Sequence, residues 1–120
     1  MSADHIHFFL QLRTTIKLYH WQTKVYARHI ATDTILEKID ENIDAFVELY
    51  IGKYGRPKMS KKTILLQNIT DAAASRLLKN AIHYLQTFTK SLHPSDYDLL
   101  TIRDEMMQNI SQLQYLFTLH

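Results

Sequence analysis

The sequence predicts an all-α protein, a ferritin-like four-helix bundle with a long crossover between its second and third helices. Three observations point to it. Only two glycines and two prolines occur in 120 residues, and so few chain breakers favour a handful of long helices over many short strands. Four segments carry apolar residues at the i, i+3, i+4, i+7 spacing of one helical face. Between the second and third lies a basic stretch from Lys53 to Asn68, long for a hairpin between neighbouring helices. A chain of this length accommodates one domain, so residues 1–120 are read as a single unit.

The first helix is expected over Asp4–Trp21, with Ile6, Phe9, Leu12, Ile16, Tyr19 and His20 on one face. The second is expected over His29–Ile51, with Leu36, Ile39, Ile43, Phe46, Val47 and Tyr50 as its stripe. Gly52, Gly55 and Pro57 follow, the usual punctuation of a helix C-terminus. The connection carries Lys53, Lys58, Lys61 and Lys62 and one short helix around Ile64–Asn68. Its length suits a crossing from one end of a bundle to the other, as in folds whose second and third helices run parallel. Thr70 caps the third helix, whose stripe is Ala74, Leu77, Leu78, Ala81, Leu85 and Phe88 and which ends near Leu92-His93-Pro94. Ser95 and Asp98 have the spacing of a capping box that opens the fourth helix, with Leu99, Met106, Ile110, Leu113 and Phe117 as its stripe.

Composition narrows the function classes. Hydrophobic residues at 46% and charged residues at 22% are ordinary globular usage and exclude wholesale disorder. No apolar run is long enough to cross a bilayer, and the N-terminal MSADHIHFF lacks the basic start and apolar stretch of a signal peptide. An intracellular location, cytoplasmic or nucleoid-associated, is the expectation. Cysteine is absent, which removes disulfides, thiolate catalysis and cysteine metal sites. The net charge of +2 permits contact with an anionic partner without implying one.

The second helix concentrates the chemistry. From His29 to Ile51 it holds six acids, Asp33, Glu37, Asp40, Glu41, Asp44 and Glu48, against the single base Lys38. At about 100° per residue from His29, Asp33 falls near 40°, Asp44 near 60° and Glu48 near 100°, bordering an apolar stripe taken to centre near 340°. Like charges at i, i+4 destabilise a helix by about 0.2–0.5 kcal/mol per pair, and a bound cation reverses that sign. A solvated acidic face is the bland alternative. His29 with Asp33, and Asp44 with Glu48, are each spaced to point at one ion, and carboxylate with imidazole suits iron, manganese or zinc better than calcium.

Asp33 and Asp44 are about 16 Å apart along a straight helix, so one chain cannot bring both pairs to one metal. Two copies packed antiparallel across a two-fold axis bring His29 and Asp33 of one against Asp44 and Glu48 of the other, giving two equivalent sites per dimer. His20, on the inner face of the first helix, is the candidate fifth ligand; its alternative is a hydrogen-bonded core histidine. A continuous helix would turn His20 and His29 about 180° apart. Meeting therefore requires a bend within Gln22–Arg28, where Thr23 is placed to cap a new helix.

In His20-Trp21, His29-x3-Asp33 and Asp44-x3-Glu48 the chain resembles the Dps family, the mini-ferritins that protect DNA in starved bacteria. The resemblance implies a ferroxidase centre between two-fold related subunits, with His20, His29 and Asp33 of one chain facing Asp44 and Glu48 of its neighbour. It further implies Fe(II) oxidation by peroxide or oxygen, iron storage in a dodecameric shell, oxidative protection and DNA as a partner. Trp21 is then expected beside the site, or alternatively as a large core or interface aromatic. The segment between His20 and His29 is shorter than the family's, the chain is shorter overall, and the family's flexible Lys-rich tail has no counterpart. The Glu-x-x-His element of larger ferritins is also absent. A competing reading is a non-enzymatic ferritin-fold assembly or DNA-packaging protein that uses Lys58, Lys61 and Lys62. A third is a plain helical interaction module. His5, His7, His83, His93 and His120 are assigned to surface or structural roles.

Overall fold

The apolar spacing closes into four α-helices with no strand: α1 Ala3–Gln22, α2 Tyr26–Tyr54, α3 Asp71–Phe88 and α4 Tyr97–Leu116, with a short 3-10 turn at Thr89–Ser91. The structure is a computed structural model and describes residues 1–120. At 29 residues, α2 is about 43 Å long. It sets the long axis of a molecule measuring 43 × 30 × 21 Å. No helix is long and apolar enough to cross a membrane.

The predicted stripes are the core. Phe9, Leu12 and Ile16 of α1, Ile39 and Phe46 of α2, Leu78 and Leu85 of α3, and Leu99, Met106, Ile110 and Leu113 of α4 are all buried. Phe9, Phe46 and Phe88 meet in angled pairs with centroids 5.3–6.1 Å apart, a geometry that contributes about 0.5–1.5 kcal/mol per pair beyond area burial. α2 packs most extensively on α4 and next on α1. Wedged between two neighbours, it buries a wide arc.

Contacts at the two ends fix the helix directions. At one end the start of α3 (Asp71) and the end of α4 (Phe117) meet Tyr19 of α1 and Arg28 of α2. At the other, the end of α3 (Phe88) packs on Phe9 and Phe46, and the start of α4 meets Lys53 and Tyr54. Thus α1 and α4 run one way, α2 and α3 the other. The connection over residues 55–70 follows α1 along its length, with Thr63 held at His7, Leu65 at Gln11, and Asn68 and Ile69 at Gln22.

Several local expectations are corrected. The second helix begins at Tyr26 and passes through Gly52 to Tyr54. Gly55, at φ 86°, ends it, and its N–H reaches Ile51 O at 2.8 Å; this left-handed conformation favours glycine. No helix forms around Ile64–Asn68, because glutamine side chains on α1 take the N–H groups of Leu65 and Ile69. Thr70 caps α3 as expected, accepting from Ala73 N at 3.1 Å. Ser95 and Asp98 form no box: α4 begins at Tyr97 behind Asp96, Ser95 Oγ meets His93 Nδ1, and Asp98 pairs with Lys53.

Candidate metal centre

The chain does bend where the histidines require it. Thr23, Lys24 and Val25 are non-helical, with Thr23 and Val25 extended, and α2 leaves at an angle that lays the His29 ring on the His20 ring, 4.0 Å between centroids and 12° between planes. Thr23 is not the helix cap, a position held by Val25. Its hydroxyl instead accepts from Val25 N at 3.2 Å and donates to Asp71 at 3.0 Å.

Each imidazole is fixed by the other residue's main chain. His20 Nδ1 lies 2.7 Å from His29 O, and His29 Nδ1 lies 2.8 Å from His20 O. A carbonyl only accepts, so both rings carry hydrogen on Nδ1 and, when neutral, a lone pair on Nε2. Thr32, fully buried one turn beyond Arg28, places its hydroxyl 3.0 Å from His20 Nδ1 and sends its own hydrogen to Arg28 O or His29 O. A carbonyl on Nδ1 that leaves Nε2 free is the supporting arrangement of metal-ligating histidines. An imidazole nitrogen of this kind is a donor that borderline divalent ions accept. His20 Nε2 lies 3.9 Å from Asp33 Oδ1, with His20 buried, His29 half-buried and Asp33 exposed.

Tyr19 and Phe117, expected as core residues, join Arg28 and Asp71, which the spacing did not single out, in holding this end of the molecule together. Tyr19 is buried, yet its hydroxyl donates to Asp71 at 2.5 Å and accepts from Arg28 at 2.9 Å. Arg28 also donates to Asp71 O and Phe117 O and lies over the Phe117 ring at 4.3 Å. The Tyr19 hydrogen bond holds the Asp71 carboxyl below the usual carboxylate range. A buried tyrosine on an inner stripe needs a partner for its hydroxyl, but sequence does not say which.

The acidic face lies elsewhere than its spacing suggested. Asp33, Glu37, Glu41, Asp44 and Glu48 are all exposed. The buried residues of α2 are Leu36, Ile39, Ile43 and Phe46 of the expected stripe together with Ala31, Thr32, Ile35 and Asn42, whereas Val47 and Tyr50 are only half-buried; this moves the stripe's centre to about 270°. The acids thus stand opposite the core instead of bordering it. Their outward row is free of lysine and arginine partners, whereas Asp40, at its edge, is held by Arg13 in two bonds of 2.7 and 3.0 Å. Asp44 and Glu48 are separated along α2 from the histidine pair, and no three His, Asp or Glu side chains of one chain gather closely enough to hold an ion. Trp21 is 68% exposed, with Lys17 over its ring at 5.4 Å, which removes the core alternative for it.

Fold and site together describe an all-helical protein with a preorganised imidazole pair at one end of a helix whose outer face is acidic. Residues 20–117 match the model of a family of unknown function, DUF5856, and the chain belongs to that family. No curated protein and no solved structure matches it. The matched span begins at His20 and contains His29, Asp33, Asp44 and Glu48.

Proposed function

We propose that this chain is a ferritin-like, Dps-like protein that binds and oxidises Fe(II) at a site shared between two copies. The observation that carries the reading is the reciprocal Nδ1–carbonyl bonding of His20 and His29, which leaves both Nε2 atoms for a metal. The parallel course of α2 and α3 and the connection along α1 support a ferritin-like bundle with a long crossover. The unpaired acids on the outer face of α2 support a second copy packed antiparallel on it, so that His20, His29 and Asp33 of one face Asp44 and Glu48 of the other. Iron is here the substrate and the cargo. The carboxylate oxygens favour Fe(III). Each Fe(II) gives up one electron; a pair of them reduces one hydrogen peroxide, which takes up two protons and leaves as two waters. Sequestration of the ferric product in a larger shell built on these dimers gives oxidative protection.

Anaerobic titration with Fe(II) is the test, with stoichiometric binding of up to about two ions per chain expected. Asp44→Ala with Glu48→Ala abolishes binding, and both are exposed enough to leave the fold intact. Binding that is absent, or unchanged in that variant, overturns the reading. A second reading, an assembly or DNA-packaging protein without ferroxidase activity, is favoured by Lys58 and Lys61, exposed and without acidic partners. It predicts salt-dependent DNA binding lost when Lys58, Lys61 and Lys62 are neutralised.

A further inference from the structure

The connection over residues 55–70 does not lie flat on the bundle. Gln11 grips Leu65 through both ends of its carboxamide, accepting from Leu65 N and donating to Leu65 O at 2.9 Å each. Gln22 does the same further along, accepting from Ile69 N and donating to Asn68 Oδ1 at 2.9 Å each. Between these clamps the chain roofs the groove between α1 and α3 and leaves a cavity of about 300 Å³, at the small end of ligand sites. Leu18 of α1, Leu77 of α3 and Leu65 of the roof are its apolar walls.

The polar side of this cavity holds no acid. Its one charged residue is Arg76, with Asn80 one turn further along α3 and Gln67 above. The other helical arginines are all engaged: Arg13 by Asp40, Arg28 by Tyr19, Arg103 by Asp104. Arg76 makes no ion pair, and neither it, Asn80 nor Gln67 forms a side-chain hydrogen bond within the chain. A lone guanidinium fork beside two free carboxamides and apolar walls complements a planar anion with an apolar body, which a guanidinium binds through two parallel N–H···O bonds. We propose that this cavity is a binding site for a small organic carboxylate, its carboxylate on Arg76 and Asn80 and its apolar body against Leu18, Leu65 and Leu77. The site is independent of the histidine pair.

The test is titration of the full chain with hexanoate, followed by backbone amide NMR, with hexan-1-ol and inorganic phosphate as separate arms. Hexanoate is expected to shift the amides of residues 65–69 and 76–80 saturably. Hexan-1-ol and phosphate, each lacking half of the complement, bind at least about tenfold more weakly. Arg76→Gln, at an exposed position, weakens hexanoate about tenfold or more, as expected for a lost charge-assisted pair. Asn80→Leu gives a smaller loss in the same direction. Absence of saturable shifts, hexanoate binding unchanged in Arg76→Gln, or hexan-1-ol binding as tightly as hexanoate overturns the proposal. Fe(II) binding is expected to be unaffected by Arg76→Gln, so the failure of one proposal is distinguishable from the failure of the other.

Discussion

Replacing Tyr19 with phenylalanine removes one oxygen and tests the knot that sets the α1–α2 bend. That oxygen donates to the Asp71 carboxylate at 2.5 Å and accepts from the Arg28 guanidinium at 2.9 Å. Hydrogen bonds to charged groups contribute about 1.5–3 kcal/mol each. Neither partner is stranded by the change. Asp71 keeps the Thr23 hydroxyl and water, and Arg28 keeps two carbonyls and the Phe117 ring. Because each partner is compensated in this way, the loss falls below the sum of two such bonds, at about 1.5–2.5 kcal/mol for the pair together. With an unfolding entropy of roughly 2.1 cal/mol/K per residue over 120 residues, each kcal/mol lowers Tm by about 4 °C, so Tyr19→Phe is expected to melt about 6–10 °C lower. Thermal melts followed by circular dichroism measure this, and a double-mutant cycle with Asp71→Ala isolates the pair, with a coupling of about 1 kcal/mol or more expected. A Tyr19→Phe protein that melts within about 2 °C of the parent, or effects of the two changes that simply add, refutes the reasoning.

Three further outcomes are expected. Ile39→Ala, at a fully buried position on α2, lowers the unfolding free energy by about 2–5 kcal/mol in a urea titration, with an unchanged slope if the native fold persists. The Asp96 carboxyl is held below the usual carboxylate range, first by the Tyr54 hydroxyl at 2.7 Å and then by Lys53 at 3.2 Å. Its stabilisation is therefore present above about pH 4, the unfolded carboxyl's range, and lost as pH falls through the lowered folded-state value; the Tm gap between parent and Asp96→Asn should be open at pH 7 and narrow as the solution is acidified below that range, and a gap independent of pH excludes the charged carboxylate as its source. Hydrogen exchange at the Leu65 amide is expected to be slower than at its solvent-facing neighbours and to lose that protection in Gln11→Ala, since the only partner of that N–H is the Gln11 side chain.

What sequence made legible follows the physics of each element. Apolar spacing on α1, α3 and α4 located the buried residues almost one for one, because each of these helices presents one stripe to the core. The bend at Thr23–Val25 was legible without a glycine or proline, since two histidines nine residues apart cannot meet on one straight helix. The orientation of α2 was not. Packing on both α1 and α4 widened its buried arc, and the side added against α4 is built from Ala31, Ile35 and Asn42, where Asn42 receives the Asn109 carboxamide at 2.6 Å. Ala31 and Asn42, small and polar, do not weigh in a hydrophobic stripe, and Ile35 lies off the face read from Leu36, Ile39 and Ile43, so spacing placed the acids at the border of the core. The connection was illegible for a related reason: its backbone is satisfied by side chains distant in sequence, at Gln11 and Gln22, and no local rule reports them.

The glutamine-clamped connection also separates chain continuity from structural integrity. It joins α1–α2 to α3–α4, but α2 packs most extensively on α4, across that division. Trypsin has targets at Lys58, Lys61 and Lys62, all exposed and outside any helix. Cutting there severs the polypeptide while leaving the interface between the halves buried. The protein should therefore survive as a nicked, two-fragment complex that comes apart only when denatured, and its halves are candidates for reassembly when expressed as separate chains.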